Sequence, residues 1–448
     1  MPRILHFTLL VAFTVGLSST LEADWPQWRG PNGTGVARGG APLEWDAEKN
    51  VAWRAEIGGL GVSSPIVSGN QVIVTSQAGF APLRDGSHPT LASGTVDGVD
   101  QSLGGSLRNG DGRIQFLVEA FDRRDGEMLW RHAIPARGAL QPVHRKHNLA
   151  SPSPVTDGER VYAVFGTGQT VALTMDGQEV WSRHLGDDYG PFAIVWGHSS
   201  SPTIYRDLLI LQCDHSADQY VEGATNAYLV ALDSRTGEEQ WKVDRGPGLL
   251  SYSTPVVVTG PSGDELIVNS SQRLDAYDPQ TGEHLWYTGD SNQFPVPVAT
   301  HAGGVIYTSR GHRSGPYMKI RLGGRGDVTA THVDWRIPTG APYVSSLLYY
   351  DGLLYMANGS GIFTCVDAAT GTQVWRERLG GAYTASPVAS GDRIYFFSET
   401  GEAIVLAAGR VPVVLARNDL GSRILSSPAI SDGELFIRTD HHLVAIRS

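Results

Sequence analysis

The chain has 448 residues, 41% hydrophobic and 18% charged, with 35 Lys and Arg against 46 Asp and Glu for a formal net charge of -11. An acidic chain of this kind lacks the basic surface that non-specific nucleic-acid binding needs, and that class is excluded. Cys213 and Cys365, the two cysteines, cannot form a C-x-x-C-H haem attachment and are expected as free, buried thiols.

Arg3, the apolar run 4–17 and the sequence Leu21-Glu22-Ala23 have the form of a signal peptide, residues 1–23. The run is too short to span a bilayer, and no later run could cross one. Export to the periplasm or the extracellular medium is expected. No Cys follows Ala23, so the mature chain is not expected to be a lipoprotein. Residues 24–50 open with WPQWRGPNGTG at Trp25, and Trp25, Trp28 and Arg29 are expected to pack this segment onto a domain formed by 51–448.

From there the chain repeats itself. AFDRRDGEMLW stands at 120–130, ALTMDGQEVW at 172–181, ALDSRTGEEQW at 231–241, AYDPQTGEHLW at 276–286 and CVDAATGTQVW at 365–375. An enzyme needs one active site, so this repetition describes architecture. A small residue and Pro followed by a β run lead into each unit: SSPIV at Ser63, SPSPV at Ser151, SSPTI at Ser200, STPVV at Ser253, ASPVA at Ala385 and SSPAI at Ser426. PVPVA at Pro295 and VSSLL at Val344 are weaker versions and bring the number of units to eight.

Short turns such as Asp351-Gly352 separate alternating strands between the two signals. Each unit therefore reads as four antiparallel strands, A to D from inside to outside. This predicts an all-β chain, an eight-bladed β-propeller. The last unit has strands at 426–430, 434–438 and 442–446 and then ends. Residues 51–57, VAWRAEI, are expected to supply its fourth strand and close the ring.

The turn motif has a physical reading. Asp278 can accept from backbone N–H groups of its own turn, and Gly282 can take the positive φ that ends it. Trp286 is expected to lie between blades, where an indole buries ~150–250 Å², roughly 4–6 kcal/mol as an upper bound. Trp130, Trp181, Trp241, Trp335 and Trp375 take the same position, and Leu415 takes it in blade seven.

The A-x-D-x-x-T-G-x-x-x-W skeleton resembles the tryptophan-docking repeat of the pyrroloquinoline-quinone (PQQ)-like propellers. That superfamily includes the quinoprotein alcohol dehydrogenases and BamB-like propellers. The resemblance covers residues 45–448 and implies the fold. It does not imply the cofactor, because the motif also staples blades in members that bind no quinone.

In such a ring the A–B and C–D turns share one face, and the D–A and B–C loops share the other. The long insertions at 78–112, 214–226 and 309–316 all read as B–C loops and crowd one face. Loops on a rigid scaffold carry binding. Candidate ligand- or partner-binding residues on that face are His147, Trp196, His198, His215, Tyr252, Arg310, His312, Arg313, Tyr343 and Tyr383. No His pair has zinc-type spacing, so no metal site is expected. Asp214-His215-Ser216 adjacency does not make a triad, which is spatial.

Two functions are consistent with the resemblance. One is an exported, non-catalytic binding or scaffold propeller, holding a protein partner or small ligand on the loop-rich face. The other is a PQQ-dependent oxidoreductase, which needs PQQ, Ca²⁺ and a nearby Asp base. The paired adjacent cysteines common over the quinone are absent, as is a clustered Asp/Glu/Asn set. The expectation therefore favours the binding protein with no catalytic residues.

Overall fold

The computed structural model describes residues 24–448 apart from 80–113, 139, 141, 142, 145, 193, 216–225, 248, 290–293 and 313. Residues 1–23, which were expected to be a signal peptide, most of the first long insertion and Arg313 lie outside the described residues. The rest folds into eight antiparallel sheets of four propeller strands each. Blade one is built from Ile66–Ser68, Gln71–Ala78, Gln115–Asp122 and Met128–Pro135. The following blades repeat this order up to blade eight, where Ala429–Ser431, Glu434–Arg438 and His442–Ile446 are completed by Val51–Glu56. That closing strand pairs antiparallel with the last strand of the chain, Trp53 opposite Ala445. One short helix, Leu185–Tyr189, is present among the described residues.

Every outer strand carries an irregularity in its register beside the staple position. A bulge increases local twist and re-aims a side chain, and here it turns each indole toward the next blade. Trp181 donates to Ser234 O (3.0 Å) and Trp130 to Met175 O (2.9 Å), each carbonyl belonging to the following blade's turn. Asp278 Oδ1 accepts from Gln280 N (2.7 Å) and Thr281 N (3.0 Å), and Gly282 has a φ of 75°. That glycine has a second duty: a Cβ there would stand 2.8 Å from Trp241 of the preceding blade.

The expectation for blade seven is corrected. Val405 pairs with Ala416 and Leu406 with Val414, so Leu415 is the bulged residue and Ala416 holds the staple position. The missing indole is offset from the N-terminal segment. Trp45 stacks on Tyr395 (6.4 Å) and Phe397 (6.1 Å) and shares a buried cluster with Leu435 and Phe436 of blade eight.

The segment before Val51 crosses the innermost strands on the short-turn face. Trp25 makes reciprocal backbone bonds with Val67 (2.9 Å), and Thr156 N donates to Pro26 O (2.9 Å). Arg29 Nη2 donates to Leu347 O (2.8 Å), His301 Nε2 lies 2.9 Å from Asn32 O, and Val36–Ala37 pairs parallel with Val388–Ser390. Blades one, two, five, six and seven are thereby tied together across the axis. Burial lowers the Arg29 pKa to about 9. Cys213 and Cys365 are free and buried.

Candidate functional site

The lead-in segments converge at the axis on the loop-rich face and enclose a chamber of about 410 Å³. Hydroxyls form a broken ring around it. Ser64 N donates to Ser153 Oγ (2.8 Å), Ser153 N to Ser201 Oγ (2.9 Å) and Ser201 N to Thr254 Oγ1 (3.0 Å). Further round, Ser346 N donates to Ser386 Oγ and Ser386 N to Ser427 Oγ, both at 2.9 Å. Val298 N donates to Ser346 Oγ (3.0 Å), but Val298 has no hydroxyl of its own and interrupts the ring in blade five. This explains the repeated hydroxyl at the lead-in: in six blades it accepts an N–H of the preceding blade.

Trp28, carried by the crossing segment, also lines the chamber. The segment therefore closes one end, and the chamber opens toward the B–C loops. His144, His147, Trp196, Phe294, His312 and Tyr343 stand around the opening. His144 meets Trp196 edge-on at 5.6 Å, and His312 lies 5.0 Å from Phe294 and 5.3 Å from Tyr343. Tyr252 is 8% exposed, and its hydroxyl donates to Val195 O. Lys146 reaches Glu399 of blade seven with its ammonium 2.7 and 2.8 Å from the two carboxylate oxygens, and Thr384 Oγ1 donates to the same carboxylate at 2.5 Å. A loop that leads into blade two is thus strapped to blade seven.

His147 Nδ1 lies 3.1 Å from Ser151 Oγ and 3.3 Å from Asn148 O. The Ser151 proton goes to Asn148 O at 2.7 Å, so Nδ1 carries the hydrogen and the imidazole does not activate the serine. Burial, then the charge of His144, lowers the His147 pKa to about 4, which leaves it neutral at pH 7.

Of the residues expected on this face, His147, Trp196, Tyr252, His312 and Tyr343 line the chamber. The others described do not. His198 (3% exposed) gives Nε2 to Ser200 O at 3.1 Å and packs with His215 (1%) around Phe192. Arg310 (1% exposed) bonds Asn269 Oδ1 and Ser270 O, filling a blade junction. Tyr383 (3% exposed) packs edge-on against Phe363. Asp214 is drawn into a buried ion pair with Arg245 (2.5 Å), which also holds Asp275 (3.0 Å). Residues at strand ends can turn to the axis or into a blade junction, and these five turned inward. Sequence reasoning missed Lys146, Phe294, Thr384 and the hydroxyl ring. The Ser/Thr-Pro repeat was the available signal for the ring.

A quinone with Ca²⁺ needs carboxylate and amide oxygens around the metal. The described lining residues include no Asp, Glu, Asn or Gln. Among the described residues, no group of three His, Cys, Asp or Glu could hold a metal ion. The lining does not fit that pair.

The sequence pattern of the family described as outer membrane protein assembly factor BamB matches residues 115–293 and 327–447. The chain belongs to this BamB-like, PQQ-repeat propeller family. The chain is 26% identical over 364 residues to tetrathionate hydrolase of Acidithiobacillus ferrooxidans, covering 77% of this chain and 64% of that protein. It therefore spans less than two-thirds of that relative's length. BamB of Salmonella typhimurium is 24% identical over 307 residues, 63% of this chain and 70% of that one. Quinohemoprotein alcohol dehydrogenase from Comamonas testosteroni matches with a TM-score of 0.63 over 96% of this chain and 81% of that chain. At 11% identity this likeness is one of fold alone. No helix among the described residues is long and apolar enough to cross a membrane.

Proposed function

We propose that this propeller is an exported, non-catalytic binding protein that receives a small ligand in its blind axial chamber. The observation that carries this reading is Trp28 on the chamber wall. A segment outside the repeats closes one end of the channel and turns a passage into a pocket. The volume of about 410 Å³ lies in the range of small-molecule sites, and the lining sets aromatic and aliphatic side chains among ten Ser and Thr residues, three His and Lys146.

The non-catalytic part rests on the chemistry of the lining. The His147–Ser151 contact runs in the wrong direction for a general base, and no carboxylate lines the chamber among the described residues. The similarity to tetrathionate hydrolase, named for a small sulfur anion, supports a dissolved solute as occupant. The BamB relatives support a protein partner, which would use the loop rim rather than the chamber.

A panel of small solutes, read by melting temperature and tryptophan emission, tests the proposal. At least one solute should raise the melting temperature and perturb Trp28 or Trp196, and Thr384→Trp at the opening should abolish the effect. Binding that survives the block would put the site elsewhere. Titration with PQQ and Ca²⁺ should give no stoichiometric heat, and tight binding would restore the oxidoreductase reading.

A further inference from the structure

We propose that the chamber selects a small oxyanion of the carboxylate or sulfonate class, held by the ring of lead-in hydroxyls. This rests on the chamber being a ligand site and adds the ligand's charge and chemistry. Ser64, Ser153, Ser201, Thr254, Ser386 and Ser427 all line the chamber. Ser64, Ser153, Ser201, Ser386 and Ser427 are each 7% exposed or less. The oxygens of Ser153, Ser201, Thr254, Ser386 and Ser427 are already occupied by an N–H from the preceding blade.

A hydroxyl has one proton to give, and none of these protons meets an acceptor among the described residues. The ring is therefore a set of buried donors converging on a space. Each of the five oxygens already accepts one hydrogen bond, so its proton is left to be given to a molecule in the chamber. Each donor is sharpened by the N–H it accepts, because chained hydrogen bonds polarise one another. A cation would face hydrogens there. An oxyanion offers several lone pairs at once and forms charge-assisted bonds, the stronger kind.

Lys146 and the imidazoles of His144, His147 and His312 line the chamber, and no carboxylate does among the described residues. Glu399, behind Lys146, holds that ammonium in place. Tyr252 and Tyr343 line the chamber beside the imidazoles, and the buried His198 interacts electrostatically with His147. His144 and His147 have ring centroids 6.2 Å apart, and a charge on His144 disfavours one on His147. An anion beside them removes that penalty, so binding should be accompanied by proton uptake.

The test uses the full mature chain with benzenesulfonate and its neutral counterpart, methyl phenyl sulfone, in calorimetry at pH 8 and pH 5.5. Benzenesulfonate should bind with one-to-one stoichiometry, about tenfold or more tighter than the sulfone, a difference on the order of one charge-assisted bond. Its affinity should rise at the lower pH, with heats that depend on the buffer as protons are taken up.

Thr254→Val reproduces the natural gap at Val298, so the fold should tolerate it. It should weaken the sulfonate several-fold and leave the sulfone unchanged. Equal affinity for the two probes, or sulfone binding without sulfonate binding, overturns the anion assignment and leaves the chamber reading intact. If neither probe binds and the solute panel also fails, both readings fall.

Discussion

Trp53 of the closing strand docks over Gly126 of blade one, where a Cβ would stand 2.6 Å from the indole ring. The indole Nε1 donates to Arg123 O at 2.8 Å in the same turn. Residues 73 positions apart thus join the first segment of the propeller to its first complete blade. Gly126 also has a φ of 77°. Gly126→Ala should cost about 3 kcal/mol, from left-handed strain of ~1–2 kcal/mol plus displacement of the indole. Gly352→Ala, at a φ of 74° with nothing within 4 Å of the added Cβ, should lose the strain alone. Urea unfolding of the two variants checks this, and equal losses would remove the docking contribution.

Trp286 is 0% exposed and donates to Glu265 Oε2 at 2.6 Å. Trp286→Ala should cost roughly 3–5 kcal/mol through the cavity it leaves, and Trp286→Phe noticeably less. Neither should alter ligand affinity, because the site lies on the axis and this indole lies between blades four and five. A loss of binding at unchanged stability would reverse the assignment of this residue as a staple.

His147 and His198 have folded pKa values of about 4 and about 3 against an ordinary 6.5, with burial the leading cause for both. Below pH 6.5 the unfolded chain takes up protons that the folded chain refuses. Stability is therefore full above that pH and falls as pH drops through it, by up to about 1.4 kcal/mol per pH unit for each histidine. The His147 contribution levels off near pH 4. Denaturant midpoints at pH 7.5 and 5.0 should converge more for His198→Gln than for the native chain. An identical loss in both would show that His198 is not a source of the acid sensitivity.

The Lys146–Glu399 pair straps the opening, and its side chains are 34% and 19% exposed. Lys146→Met should change stability by no more than about 1 kcal/mol while speeding ligand exchange, measured by stopped-flow tryptophan emission. An unchanged exchange rate would leave the strap with no gating role.

The ring was legible in the sequence because its signals recur: a Pro lead-in, an Asx turn and an indole at matching offsets. Even the splice at Val51 followed, since a final unit without an outer strand requires one from elsewhere. The site was less legible. Whether His198 or His147 faces the axis depends on partners such as Ser200 O and Ser151 Oγ, and both histidines precede a lead-in in the same way. Arg310 reads as a surface loop cation until Asn269, from the neighbouring blade, is seen to hold it. Trp28 has no repeat counterpart, so no periodic signal places it on the chamber wall. Leu415 was misplaced because a one-residue bulge is invisible to spacing alone.

The account depends most on the chamber receiving a solute above Trp28. Crystals soaked with 4-bromobenzenesulfonate and, separately, a neutral brominated sulfone would show this through the anomalous signal of bromine. A bromine peak within the hydroxyl ring, close to Trp28 and stronger for the anion, is the predicted result. Peaks confined to the outer surfaces of the blades, with the chamber empty for both compounds, would contradict it.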